Sequence, residues 1–148
     1  EIKLDEGKKP IQLIRLAKKF PEKLVSQIKK GTHTEDYVSH SVVAQRLLQV
    51  VGPFDWDVEV IYSDGKPVAC KGLLKVTVDG KEVSVAGIGT DQNNKGKDDG
   101  DIIKEMESDA LKRAASKIGV GLHLWAQKQY FLSAQLATEH SVALEEVR

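Results

Sequence analysis

The chain has 148 residues, with 22 Lys or Arg against 22 Asp or Glu, and 5% of its residues are aromatic. This length predicts one domain, no apolar run approaches the roughly 20 residues that cross a bilayer, and a single cysteine, Cys70, excludes a disulfide framework and a cysteine-rich metal site. The net charge of zero disfavours a uniformly basic nucleic-acid binder, but residues 1–30 carry +5 and residues 31–70 carry −4.

The first third of the chain predicts helices. Apolar residues recur at helical spacing through residues 11–20, directly after Pro10, which favours a helix start. A second short helix is predicted for residues 21–30, followed by a polar loop over residues 31–36. A third helix, with a serine at its N-terminal cap, is predicted for residues 39–51.

Three strands are predicted next. Apolar and polar residues alternate at residues 56–60, in a longer run at 68–78, and in a return strand at 81–90. Asp79-Gly80 is a strong two-residue hairpin signal between the last two strands. One face of the middle strand is apolar and the other carries lysines, Lys75 among them, so the sheet has a dry face and a wetter, partly basic face.

The predicted sheet is covered by a helix. Residues 91–100 contain no apolar residue and predict a loop, and the strongest helix follows from Asp101 to about Ile118. Its predicted apolar side consists of Ile103, Met106, Ala110, Leu111, Ala114 and Ile118. A further helix is predicted for residues 125–136. The predicted fold class is therefore α+β: a three-stranded antiparallel sheet covered by a long helix, a β-β-β-α core, with flanking N- and C-terminal helices.

No motif in the chain predicts catalysis. Gly96-Lys97 lacks the rest of a phosphate-binding loop, and the two glycines of Gly87-Ile88-Gly89 lack the third that a dinucleotide site needs, so they indicate a β-bulge or a close contact instead. The carboxylates of residues 98–105 resemble a magnesium site less than the acidic first turn of a helix. We therefore predict no catalytic residue, no metal ligand and no cofactor.

The basic residues give a more useful pattern. Lys112 and Arg113 are adjacent in the strongest helix, Lys117 follows one turn later, and Lys95 and Lys97 lie in the loop before it. Such residues can bind phosphates, although composition alone favours ordinary solvated charges, some of them paired across a helical turn.

Residues 104–119 (KEMESDALKRAASKIG) resemble the signature helix of the Rad52-type single-strand annealing proteins. Three weaker similarities occur in the right order along residues 20–125. They are Tyr37-Val38 with Gly52 and Trp56, the strand from Leu73 to Gly80, and Gly87-Ile88-Gly89 with the Lys95-Gly96-Lys97 loop.

The resemblance implies a ring or helical oligomer with a positively charged groove, in which single-stranded DNA is held by its phosphates with the bases turned outward. Lys112 and Arg113 match the inner groove residues of the family, and Lys95 and Lys97 match its loop cations loosely. The other expected DNA-binding residues are Lys117, Lys104 and Lys75. Because aromatic residues are few, we expect backbone binding rather than base stacking as the main grip.

Three positions depart from the family pattern. Val42 stands where the family in higher organisms has an arginine, Pro53 stands where it has a tyrosine, and Ser116 stands where a third cation is expected, with Lys117 one step away. These departures and the short chain suggest a bacterial or phage branch.

The resulting hypothesis is a non-catalytic protein that binds single-stranded DNA and anneals complementary strands in recombination and repair. Residues 1–148 are expected to form one DNA-binding and oligomerisation domain, with N-terminal helices and loop (1–36), a core (37–125) and a C-terminal helical tail (126–148). The expected partners are single-stranded DNA, further copies of the chain, and a single-strand binding protein or an exonuclease, without a membrane. The expected location is the cytoplasm of a bacterial or phage-infected cell.

Three alternatives remain open at this stage. The element order also fits a double-stranded-RNA-binding module, although the Lys-Arg pair lies in the middle of its helix rather than at the start. A metal-dependent nuclease that uses the acidic loop and a pure interaction module with solvated lysines are the others.

Overall fold

Three antiparallel strands in the middle of the chain organise the fold. The computed structural model describes residues 9–147, so residues 1–8 of the predicted N-terminal part and residue 148 of the predicted tail lie outside the described residues. The strands are β1 (Ser26–Lys30), β2 (His33–Tyr37), β3 (Asp55–Ser63), β4 (Lys66–Val78) and β5 (Lys81–Gly89). The helices are α1 (Ile11–Ala17), α2 (His40–Val51), α3 (Asp99–Ser116), α4 (Leu122–Ala126) and α5 (Leu132–Glu139).

The main sheet has the order β3-β4-β5, and β1 and β2 form a separate two-stranded hairpin. The predictions of an α+β class and a three-stranded antiparallel sheet are confirmed. Tight Asp-Gly turns join the strands, and both residues of Asp79-Gly80 take positive φ, of 49° and 81°. Burial alternates along β4: Leu74 and Val76 are buried, whereas Lys75 lies on the exposed face.

Within residues 9–147, no helix combines the length and the hydropathy needed to span a bilayer.

Helix α3 lies directly on the apolar face of β4 and β5. A Cβ added to Gly87 would lie 2.2 Å from the carbonyl oxygen of Ala110, and one added to Gly89 would lie 1.9 Å from that of Met106. The close contact predicted for these glycines is therefore confirmed, and it brings the helix backbone onto the strand. Cys70 is fully buried beside this contact, in the cluster that contains Met106 and Ala110.

The buried stripe of α3 begins one residue earlier than predicted. Ile102 is buried and Ile103 is only half-buried, because the residues four apart from Ile102, beginning with Met106, are the ones that face the sheet. Leu111 and Ala115 are also buried, in the main core that α3 shares with α2 and β4.

Helix α1 is held at both ends by polar contacts with the core. Asp79 accepts hydrogen bonds from the backbone N–H groups of Gln12 and Leu13, at 2.9 and 3.0 Å. At the other end the Arg46 guanidinium donates to the carbonyl oxygens of Arg15, Leu16 and Lys18. These contacts satisfy backbone groups that a helix end leaves unpaired.

The prediction of a second short helix over residues 21–30 and a polar loop over 31–36 is wrong. A single 3₁₀ turn (Glu22–Leu24) is followed by the β1–β2 hairpin, which closes on Gly31 with φ of 62°. A helix confined between Pro21 and Gly31 would be too short to be stable alone. Antiparallel pairing instead satisfies the backbone of both segments, with Ile28 opposite Glu35.

The single helix predicted for residues 125–136 is also wrong. Helix α4 ends at Ala126 because Gln127 takes a φ of 51° and a ψ of −119°, which no helix can continue. A 3₁₀ turn (Gln127–Gln129) follows, and α5 then packs its buried Leu136 and Ala137 against Ile14 of α1.

A half-buried histidine joins α4 to the segment after α1. His123 lies between the rings of Phe20 and Tyr130, with centroids 5.8 and 5.7 Å away. Its Nε2 accepts the backbone N–H of Phe20 at 3.4 Å, while its buried Nδ1 has no hydrogen-bond partner among the described residues. Burial, reinforced by the charges of Lys19 and Arg46, lowers the pKa of His123 to about 4.

The glycine contact under α3 predicts a selective loss of stability. We expect Gly89→Ala to lower the free energy of unfolding by about 3 kcal/mol or more, because the new methyl group meets helix backbone that cannot move aside. The matched control is Gly100→Ala on α3, where the added Cβ has only Asp98 Oδ1 at 3.4 Å. That change should be neutral or stabilising by up to about 1 kcal/mol in urea denaturation. Equal stability of the Gly89→Ala variant and the wild type would contradict the close contact.

The half-buried His123 predicts a pH dependence of stability. Because the pKa of His123 is about 4 in the folded chain and 6.5 in its ordinary state, the unfolded chain binds more protons between these values. Its contribution to stability should be complete above pH 6.5 and should decline as the pH falls towards 4. In thermal denaturation between pH 7 and 4, we expect His123→Gln to show a smaller slope than the wild type. An identical slope in both proteins would rule out His123 as the source.

Candidate nucleic-acid interface

A groove of about 1050 Å³ lies between the β1–β2 hairpin and the exposed side of α3. Residues 90–93 after β5 and residues around α4 complete its lining. The side chains that can bind a ligand by charge or by a ring face are Lys29, Tyr37, Lys112, Arg113 and Trp125. The groove therefore combines cations with exposed aromatic rings.

Lys112 is half-buried in the wall of the groove. Its Nζ lies 5.9 Å from the centre of the Tyr37 ring, and within residues 9–147 it makes no ion pair or hydrogen bond. The aliphatic stem is thus covered while the ammonium group stays available. This geometry suits a contact with an anion that enters the groove.

Arg113 is held in a fixed orientation next to Lys112. Its Nε donates to both carboxylate oxygens of Asp109, at 3.2 and 3.1 Å, and its guanidinium carbon lies 4.9 Å from the centre of the Trp125 ring. The two terminal NH₂ groups have no hydrogen-bond partner among the described residues. A guanidinium with free terminal groups is well suited to hold a phosphate.

The groove is not uniformly cationic. Its lining contains three cations and five carboxylates: Lys29, Lys112 and Arg113 against Glu35, Asp36, Asp91, Glu105 and Asp109. Several of these carboxylates have partners of their own. Asp109 also accepts the backbone N–H of Thr90 at 3.0 Å, and Asp91 pairs with Lys97 at 3.0 Å. One protomer alone therefore offers a local cationic contact rather than a broad positive field.

The loop cations lie at the margin of the groove. The ammonium group of Lys97 is bound to the nearly buried carboxylate of Asp91, which is itself a lining residue, so Lys97 is partly used within the loop. Lys95 is exposed in the same loop and does not line the groove. The structure thus ties Lys97 to a lining residue, but neither Lys97 nor Lys95 lines the groove itself.

Three other predicted DNA-binding residues lie outside the groove. Lys117 donates to the carbonyl oxygen of Ala86 on β5, and Lys104 is exposed two turns before Lys112 on α3. Lys75 lies on the face of the sheet that is turned away from α3 and lines a separate hollow of about 370 Å³. None of these three lysines lines the groove with Lys112 and Arg113.

The three departures from the family pattern have structural uses of their own. Val42 is half-buried and packs against the main core, and Pro53 lines the separate hollow near Lys75. The hydroxyl of Ser116 donates to the carbonyl oxygen of Arg113 at 2.7 Å. None of the three supplies a side chain to the groove lining.

The acidic segment before α3 acts as a helix start. Asp98 accepts the backbone N–H of Asp101 at 2.8 Å, which is a typical N-terminal cap, and Asp99 lies 3.8 Å from Lys66. In the part of the chain that the structure describes, no group of three or more His, Cys, Asp or Glu side chains is placed to hold a metal ion. The carboxylates that the nuclease alternative needs are therefore used to begin the helix and are dispersed.

Sequence reasoning missed three of the groove residues that can bind a ligand: Lys29, Trp125, and Tyr37, which entered only through the family resemblance. Lys29 was expected in a helix, and Trp125 was expected at the start of a longer helix without a role in binding. A Gly-Thr pair between two polar, alternating segments is the signal that could have revealed the hairpin. Trp125 carries no comparable signal, because only the turn after α3 brings it beside Arg113.

A comparison with known families supplies independent information. A model of the Rad52/22 family of double-strand break repair proteins matches residues 11–143, which is most of the chain. A comparison with curated proteins finds no match to the chain.

Proposed function

Because the chain belongs to the Rad52/22 family of double-strand break repair proteins and thus has a role in DNA repair and recombination, we propose that it binds single-stranded DNA in the groove along α3 and anneals complementary strands. The family assignment confirms the resemblance that the Lys112–Arg113 helix carries. It does not depend on the groove geometry, which supports the same proposal separately.

The observation that carries the proposal is the pair of neighbouring cations in one groove wall. Lys112 and Arg113 are consecutive on α3, yet both line the groove. Among the described residues, the one carboxylate bonded to either of them is Asp109, which binds Arg113 at Nε and leaves its terminal NH₂ groups unbonded. Lys and Arg side chains bind phosphates without reading the sequence. Such binding is what an annealing protein needs, since it must hold any strand while the bases find their complement.

The carboxylates of the groove limit how tightly one protomer can bind. Asp109 and Asp91 are engaged by Arg113, Thr90 and Lys97, and Asp36 accepts a hydrogen bond from Gln27 at 3.1 Å. Their negative charge remains nearby, so each cationic pair acts over a short distance. We propose that strong binding requires the pair to be repeated along the strand by several protomers.

The main sheet has features that suit contacts between protomers. Among the described strands, β3 and β5 each have one edge without a neighbour, and Ile61, Leu73 and Ile88 are exposed. The unequal charge along the chain, +5 over residues 1–30 and −4 over 31–70, favours contacts between different surfaces of adjacent copies. Contacts of this heterologous type form rings or filaments.

The remaining parts of the proposal concern the chain as a whole. We propose that residues 1–148 act as one DNA-binding and oligomerisation domain, without catalysis and in the cytoplasm. Annealing forms only base pairs, so it needs no nucleophile or acid–base residue. The double-stranded-RNA alternative is disfavoured because α3 begins with Asp99 and Asp101 rather than with cations.

The groove assignment predicts the effect of removing the pair. We expect Lys112→Ala combined with Arg113→Ala to keep the fold and to weaken binding of a single-stranded oligonucleotide at least about tenfold at low salt. The slope of log affinity against log salt should shrink by about 0.7 for each phosphate that the variant no longer binds. Fluorescence anisotropy at several salt concentrations measures both quantities.

A control with the same change in charge is Lys66→Ala combined with Lys81→Ala, since both lysines are exposed and neither lines the groove. This variant should bind nearly as the wild type does. If the two double variants are weakened to the same extent, binding depends on total charge and the groove assignment fails.

The proposed activity predicts annealing by an oligomer. We expect the protein to accelerate pairing of complementary oligonucleotides without nucleotide or metal, and to elute as a species many times the mass of one chain. Strand pairing is followed by loss of donor fluorescence, and mass by light scattering at micromolar concentration. A strictly monomeric protein that binds single strands but does not speed pairing would contradict annealing.

A further inference from the structure

One tryptophan is unusually exposed in the groove. The chain has two tryptophans; Trp56 is half-buried, with its indole N–H 3.3 Å from Glu107, whereas Trp125 is 48% exposed and lines the groove. Exposure alone does not distinguish Trp125, since Phe131 and Tyr62 are more exposed, at 71% and 56%, but neither of those lines the groove. What distinguishes Trp125 is its place in the groove wall beside Lys112 and Arg113, where its indole offers a flat face to a ligand.

The position of Trp125 is fixed by the same contacts that hold the cationic pair. The Arg113 guanidinium lies 4.9 Å from the indole centre, and Asp109 holds that guanidinium through Nε. The terminal NH₂ groups of Arg113 and the exposed part of the indole thus open into one groove, beside Lys112. A nucleotide has a matching pair of features, a phosphate and a flat base one sugar apart.

We infer that Trp125 is a base-stacking residue, which binds the face of an unpaired nucleobase while Arg113 and Lys112 hold the adjacent phosphates. This inference rests on the proposed binding of single-stranded DNA and adds a contact with a base to it. In a duplex both faces of each base are covered by its neighbours, so the contact favours single strands. Every base has such a face, so no sequence preference results.

The inference is compatible with a small number of aromatic residues. One stacked base per protomer leaves the other bases of the bound strand free to pair. The contact would fix the position of the strand along the groove, which phosphate contacts alone do not do, since they can slide by one nucleotide. The expectation of a grip mainly on the backbone is thus retained, with one base held at each protomer.

The test compares two ligands and three proteins. The ligands are an oligothymidylate of about eight nucleotides and an abasic oligonucleotide of the same length, which has the same phosphates without bases. The proteins are the wild type, Trp125→Ala and Trp125→Phe. We expect Trp125→Ala to lose roughly 5- to 150-fold affinity for the thymidylate and much less for the abasic strand, and Trp125→Phe to retain most of the affinity for the thymidylate.

Equal losses on both ligands would overturn the inference, because they would show that Trp125 only positions Arg113. Unchanged affinity of Trp125→Ala for the thymidylate would also overturn it, while leaving the phosphate groove intact if the Lys112→Ala, Arg113→Ala variant is still impaired. If the wild type binds neither ligand, the proposed function itself fails, and the inference fails with it.

Intrinsic fluorescence gives a second measurement that does not depend on affinity. Stacking of thymine on Trp125 should quench the emission of the wild type at saturation, whereas the abasic strand should not. Trp125→Phe leaves Trp56 as the remaining tryptophan, and saturation with thymidylate should then leave the emission nearly unchanged. Quenching that persists in this variant would assign the signal to Trp56 and would contradict stacking on Trp125.

Discussion

The backbone contact between β5 and α3 is the constraint on which the rest of the structure depends. Where Gly87 and Gly89 lie, the helix touches the strand itself rather than a layer of side chains. This contact fixes how far along the sheet α3 sits and how it is rotated about its axis. Because Ala110 and Ala114 face the glycines, Lys112 lies on the opposite side of α3, near Tyr37 of the hairpin, and Arg113 lies on the flank of the helix, near Trp125. The lack of a side chain at Gly87 and Gly89 thus determines where Lys112 and Arg113 lie.

The electrostatics of the protein follow from placement rather than from composition. The chain has equal numbers of acidic and basic residues, and its groove has more carboxylates than cations in the lining. The net charge therefore does not predict how strongly the groove binds an anion. Asp109 illustrates this, since it lowers the local charge but also orients Arg113 and binds the backbone of Thr90. A carboxylate can therefore serve an anion site by positioning its cation, at some loss of affinity in each protomer.

The sequence was most informative where local sequence signals and burial in the core favour the same secondary structure. The Asp-Gly turns, the alternating β4 and the glycines of β5 predicted the main sheet, and the periodicity of α3 predicted its buried side to within one residue. The β1–β2 hairpin was missed because its residues are largely exposed, so no hydrophobic pattern records its pairing. The neighbours of Trp125 could not be predicted either, because they depend on the turn after α3, where Gly119 and Gly121 take positive φ, and on tertiary placement.

The anchoring of α1 has a mechanical consequence for the hairpin. The chain enters it from a segment secured by Arg46 and His123, and leaves it at Val38, which is buried in the core. Between these points the described residues of the ribbon pair with each other and are mostly open to solvent. Apart from each other, β1 and β2 make few contacts with the remaining elements, one of them between Tyr37 and Lys112. Segments with few tertiary contacts open at low free-energy cost, so we expect the hairpin wall to move more easily than α3. The width of the groove is then set by the position of the hairpin, while α3, which is packed on the sheet, forms the fixed wall opposite.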